Sequence, residues 1–204
     1  MSTKLKFAQQ LQGLLYPSTT IDAKLDEQTA MLAVSQARDE YVRNYILQAK
    51  VETNIVNGNW ISSYDGVPIT FDSVRAVYYS VLPANILSLD RDRGIQRVFN
   101  PMHPQDEYVI TSAGFLAIMR NSAALTLEGE RGCFLRQNKV IFMQKENEDC
   151  ELSMDLIVSS DDIEPYDEFP VDTAAIPAIL ERALGFYQVQ KGIPQDNINN
   201  AKSE

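Results

Sequence analysis

Apolar residues recur at helical spacing at the start of the chain. From about Thr3 to Tyr16, Leu5, Leu11, Leu14 and Leu15 follow a period near that of an α-helix, and Pro17 ends the run. After the polar loop Ser18-Thr19-Thr20, a second and clearer helical pattern spans about Asp26 to Lys50. Met31, Val34, Tyr41, Val42, Tyr45, Ile46 and Ala49 share one face, whereas Gln36, Asp39, Glu40, Arg43 and Asn44 share the other. A stripe of that width is expected to pack on a core or on a neighbouring chain, so Met31, Val34, Tyr41, Val42, Tyr45 and Ile46 form a candidate subunit-packing face. Asp39 and Arg43 stand four apart in the favourable order, which adds about a few tenths of a kcal/mol.

From Asn57 the period shortens. Gly58, Gly66, Pro68, Pro83, Gly94 and Pro101 punctuate short β-prone runs. Trp60 to Tyr64 and Val74 to Leu82 read as strands. Ile86 to Leu89 is placed to pair with Ile95 to Phe99 across Asp90-Arg91-Asp92-Arg93-Gly94, and Phe134 to Arg136 with Val140 to Met143 across Gln137-Asn138-Lys139. Asparagine tolerates positive φ, which suits the second of these to a tight hairpin. In Glu151 to Val158, Leu152, Met154 and Leu156 alternate with Glu151, Ser153 and Asp155. Such strands predict an α+β chain: a β-sandwich or barrel-like domain flanked by N-terminal helices and one C-terminal helix. That last helix is expected to start between Asp172, a good N-cap, and Pro177, which suits a first helical turn, and to be stopped by Gly192 and Pro194. Ile176 precedes Pro177 and is therefore disfavoured as helical, so the later start is expected. Ile179, Leu180, Ala183, Leu184 and Tyr187 form its apolar face. The division is a helical region 1–56, a β-rich domain 57–160, and a C-terminal part 161–204 made of an acidic linker, the helix and a polar tail.

The charge alters this picture in one place. The 204 residues carry a net charge of −10, but residues 1–50 hold six basic and five acidic residues, 51–140 eight and nine, and 141–204 four and fourteen. The excess lies in the C-terminal third, where Asp161, Asp162, Glu164, Asp167, Glu168 and Asp172 form a candidate channel- or partner-facing segment. Nucleic-acid binding along the chain would need clustered Lys and Arg instead. No apolar stretch reaches the length of a membrane span, and the N-terminus has neither an apolar h-region nor a small-residue cleavage site, which argues against a secretory signal.

The residues that carry chemistry are few. The single histidine, His103, lies between Pro101 and Pro104 and has no patterned His or Cys partners, so it reads as a surface loop residue. Cys133 and Cys150 belong to no CxxC and read as reduced core residues, with a cross-strand disulfide as the alternative. No nucleophile elbow and no phosphate-cradling glycine loop occurs. A calcium loop starting at Asp90 would place Gly94 and Pro101 at its fifth and twelfth positions, where an acid or amide and a glutamate are required. Catalysis by the 161–172 acids would require a shaped pocket to set their pKa values apart, and a Pro-containing linker is a poor frame for one. No enzymatic activity, metal or cofactor is expected. A rival reading is a carbohydrate- or peptide-binding module using Trp60, Tyr64, Tyr78, Tyr79 and Tyr108 as a stacking platform, although adjacent Tyr78 and Tyr79 point to opposite faces of a strand.

Several stretches taken together resemble a known family. They are Leu82-Pro83-Ala84-Asn85-Ile86-Leu87-Ser88-Leu89-Asp90, Gly94-Ile95-Gln96-Arg97-Val98, Phe134-Leu135-Arg136-Gln137-Asn138-Lys139-Val140-Ile141-Phe142, Ile176-Pro177-Ala178-Ile179-Leu180 and Ile193-Pro194-Gln195-Asp196-Asn197. In this order, over about residues 25–198, they resemble the ring or head-to-tail connector (tail collar) proteins of tailed bacteriophages, especially crAss-like and related phages. This chain has Gln137-Asn138 where the family pattern has a hairpin glycine. The resemblance implies a β-sandwich flanked by helices. It implies a structural virion protein, made in the host cytoplasm and built into a ring of typically twelve copies below the portal. Its neighbours would be the portal and other ring or tail proteins, with DNA passing nearby without specific binding and no membrane contact. The family has no catalytic signature to carry over. A negative lumen would keep passing DNA from adhering.

Overall fold

A computed structural model describes residues 3–15, 27–52, 58–89, 94–111, 132–142 and 151–190. The chain is α+β, with three α-helices and two sheets among the described residues. Its contacts divide it into two compact units: residues 1–59 with 163–204, and residues 60–162. The N- and C-terminal parts of the chain thus belong to one helical unit, and the β-rich middle forms the other.

In the helical unit, α1 (Lys4–Leu15) and α3 (Ile176–Gln190) both pack on α2 (Glu27–Glu52). Ala30, Ala33 and Ala37 are fully buried along α2 beside Val34, Val42 and Ile46. Small side chains let the helices approach closely, so the buried stripe extends beyond the large apolar residues that set the period. Phe7, Ala8 and Leu11 of α1 and Ile179 and Ala183 of α3 complete this core. The expected start of the last helix is corrected. Asp172 caps a short 3₁₀ turn, Thr173–Ala175, and Ile176 is helical at φ −51°, ψ −49° despite the proline after it. The 3₁₀ turn delivers the chain into helical geometry before Pro177, whose own fixed φ suits the first turn. Leu180 and Leu184 are half-buried; the side chains of Ala49 and Tyr187, like Gly192 and Pro194, lie outside the described residues.

The β unit holds nine strands among the described residues: β1 (Ser62–Pro68), β2 (Thr70–Asp72), β3 (Val77–Val81), β4 (Ile95–Asn100), β5 (His103–Glu107), β6 (Val109–Ile110), β7 (Gly132–Arg136), β8 (Lys139–Phe142) and β9 (Glu151–Leu156). One sheet runs β1-β9-β4-β5 and the other β2-β3-β8-β7-β6, an arrangement consistent with a β-sandwich. Leu152, Met154 and Leu156 of β9 are fully buried, together with Val98, Cys133 and Val140. Ser153 is buried as well, because β9 is an inner strand, and its hydroxyl donates to Asp65 across the sheet.

Three expectations about strands change. The residues Gly58–Trp60 form a 3₁₀ turn, so the first strand begins only at Ser62. Val74 belongs to a turn rather than to β3, because the Asp72 carboxylate accepts hydrogen bonds from the amides of Val74 and Arg75 and Ala76 sits at φ 51°. Ile86 to Leu89 does not pair with β4, which lies between β9 and β5; Ile86 instead bridges Val158, and the Leu87 amide donates to Ile157 O. The hairpin at Gln137-Asn138 is present, with Arg136 opposite Lys139, but the positive φ (59°) falls on Gln137. Positive φ at the first of two turn residues is the φ pattern of a type II′ turn, in which the first position is the one where glycine is usual.

Candidate functional site

The acidic segment from Asp161 to Asp172 is divided between the two units. Asp161 and Asp162 close the β unit in a 3₁₀ turn, Ser160–Asp162. Asp161 is exposed. Asp162 spends both carboxylate oxygens on Asn85: Oδ2 accepts from the backbone amide at 2.6 Å and Oδ1 from Nδ2 at 2.9 Å. Ser159 N–H completes the join by donating to Asn85 O at 2.9 Å. Asp162 is therefore a staple for the Pro83-Ala84-Asn85 turn, and it is exposed.

The remaining acids belong to the helical unit, on a strap from Ile163 to Asp172. Sequence alone reads this stretch as a flexible link, and the structure corrects that. Ile163 and Phe169 turn inward and are 9% and 2% exposed. Burial of a phenylalanine to that degree contributes about 2–3 kcal/mol. The Phe169 ring lies 5.6 Å from the Phe7 ring of α1, and the Arg38 guanidinium of α2 sits 5.9 Å over it. Polar contacts reach the strap's own carbonyls. Lys4 Nζ donates to Ile163 O at 3.3 Å, Leu5 N to Pro165 O at 3.0 Å, and Arg38 Nε and Nη2 both to Pro170 O at 3.4 Å. Thr3 and Glu168 form an isolated antiparallel bridge.

Arg38 is the central anchor, and periodicity alone places it in a buried stripe where no charge is expected. Its side chain is fully buried and ion-paired with Asp39 at 3.0 Å. Burial pushes the guanidinium pKa down, and the adjacent Asp39 carboxylate opposes that shift by charge and by hydrogen bonding. Near neutral pH arginine keeps its charge, so the site is a paired, hydrogen-bonded cation. The signal that separates Arg38 from exposed Arg43 is its spacing, four residues from both Val34 and Val42, which sets it within the apolar stripe.

Pinned from beneath, the strap presents its carboxylates outward. Glu164, Asp167 and Glu168 are exposed, with Tyr166 at 77% exposure among them. Asp172 is used locally, accepting from the amide of Ala174 at 3.2 Å. The exposed acids of the candidate segment are thus Asp161 and the Asn85-bound Asp162 in one unit and Glu164, Asp167 and Glu168 in the other.

The candidate packing face of α2 divides too. Val34, Val42 and Ile46 are buried within the chain itself, in the unit where α2 packs on α1 and α3; Met31, Tyr41 and Tyr45 are half-buried. Arg182 of α3 covers Tyr41, with its guanidinium 5.8 Å from the ring and 2.8 Å from Glu40. Among the described side chains of α2, the large apolar residues left exposed are Leu32 and Leu47.

The aromatic platform does not assemble as expected. Trp60 and Tyr108 are 1% and 4% exposed, and Tyr108 packs edge-on to Phe142 at 5.1 Å. Tyr64, Tyr78 and Tyr79 are half-buried. Tyr78 meets the Phe71 ring at 4.8 Å, tilted by 43°, while Tyr79 lies under Lys139 Nζ at 3.9 Å. The buried rings of Trp60 and Tyr108 offer no stacking face to a sugar.

His103 opens the edge strand β5 and is exposed, as are all residues of that strand. Cys133 is buried in β7, whereas Cys150 and Asp90 to Arg93 lie outside the described residues. Among the described residues no three His, Cys, Asp or Glu side chains are grouped to hold a metal ion, and no helix is long and apolar enough to cross a membrane. Searches against protein-family models and against curated proteins find no match to the chain.

Proposed function

We propose that the chain is a non-catalytic structural subunit of a tailed-phage virion, a ring protein of the head-to-tail connector below the portal. Its partners are copies of itself, the portal and other ring or tail proteins. The stretches that suggest this role are framework positions: Asn85 is the stapled turn, Leu87 is buried, and Gln137-Asn138 is a hairpin. They speak for a fold rather than for a chemistry.

The observation that carries the reading is the strap. A stretch with four carboxylates is anchored by Arg38, Phe169 and Ile163, while Glu164, Asp167 and Glu168 remain exposed. Anchoring a negative surface has a use where a polyanion must pass without sticking, because fixed like charges repel it. The test reverses those charges. The native chain is expected to show no retention of double-stranded DNA in a gel-shift assay at physiological salt. A Glu164→Lys, Asp167→Lys, Glu168→Lys variant is expected to fold equally well and to retain DNA, with retention falling steeply as salt rises. Tight DNA binding by the native chain would overturn the reading. So would an assembled ring in which the strap is buried between subunits, away from any channel.

A further inference from the structure

We draw no further inference here: the strongest candidate, the pair of exposed apolar turn residues Val74 and Met102 at the β2–β3 and β4–β5 hairpins of the β unit, carries nothing because no groove, charge pattern or neighbouring molecule in the structure shows what covers them.

Discussion

The two units hold their irregular segments in different ways. In the helical unit, the strap is fixed by burial: Phe169 and Ile163 enter the core, and Arg38 reaches out of α2 to a strap carbonyl. In the β unit, turns are fixed by side-chain hydrogen bonds, from within the turn at Asp72 and Asn100 and from a distant residue at Asp162. Asp72 accepts from Val74 and Arg75, Asn100 from Met102, and Asp162 from Asn85. Turns stapled this way need no apolar anchor and leave Val74 93% and Met102 81% exposed. The difference teaches where stability is concentrated. A segment anchored by a buried cation fails when that one residue is removed, whereas a turn closed by local hydrogen bonds loses about 1 kcal/mol per bond.

The largest effect is therefore expected at Arg38. Arg38→Ala should cost about 3 kcal/mol, since it leaves a cavity and strips Asp39 and Pro170 O of a donor. Arg38→Met should cost less, because an apolar side chain of similar length keeps the packing on Phe169. Urea denaturation measures both, and hydrogen exchange at the Asp167 amide, which donates to Glu164 O, reports the strap itself. If the alanine variant were as stable as the native chain, burial would not be what holds the strap.

A smaller loss is expected in the β unit at Gly94. A Cβ there would meet Leu87 O at 2.8 Å and Ile86 Cβ at 2.9 Å, so Gly94→Ala should cost about 2 kcal/mol through displaced backbone. A neutral result in thermal denaturation would mean that the Ile86–Leu87 segment is loosely placed beside β4. The smallest effect has the opposite sign. Ala76 closes the β2–β3 turn at φ 51°, where a Cβ is strained, so Ala76→Gly should stabilise by about 0.5–1 kcal/mol. Destabilisation would show that the chain-entropy cost of glycine outweighs the relieved strain.

Features with a marked apolar or β-prone run were the legible ones. The helices and β9 follow from the spacing of their apolar residues, and β3 and the β7–β8 hairpin from β-prone runs bounded by turn residues. The strands that escaped sequence reading, β2, β5 and β6, are short and polar or lie at sheet edges, and His103–Glu107 buries no residue at all. An edge strand of this kind is defined by its neighbour's hydrogen bonds and leaves little pattern of its own; proline and charge there also discourage pairing with other chains. The candidate acidic segment was legible as composition, but its division between two units was not. Asp162 and Glu164 look alike in sequence, and only the position of Asn85 turns one into a staple. Arg38 was missed because three alanines and a cation fill a stripe that Val34, Val42 and Ile46 only partly mark.

Electron microscopy of the purified 204-residue chain, concentrated until it associates, tests the central claim most directly. Copies that meet through unlike surfaces close into rings, whereas a single self-complementary patch gives a two-fold pair. The ring-subunit account predicts class averages with rotational symmetry around an open channel, with the strap carboxylates toward the channel. Two-fold dimers at every concentration would contradict it.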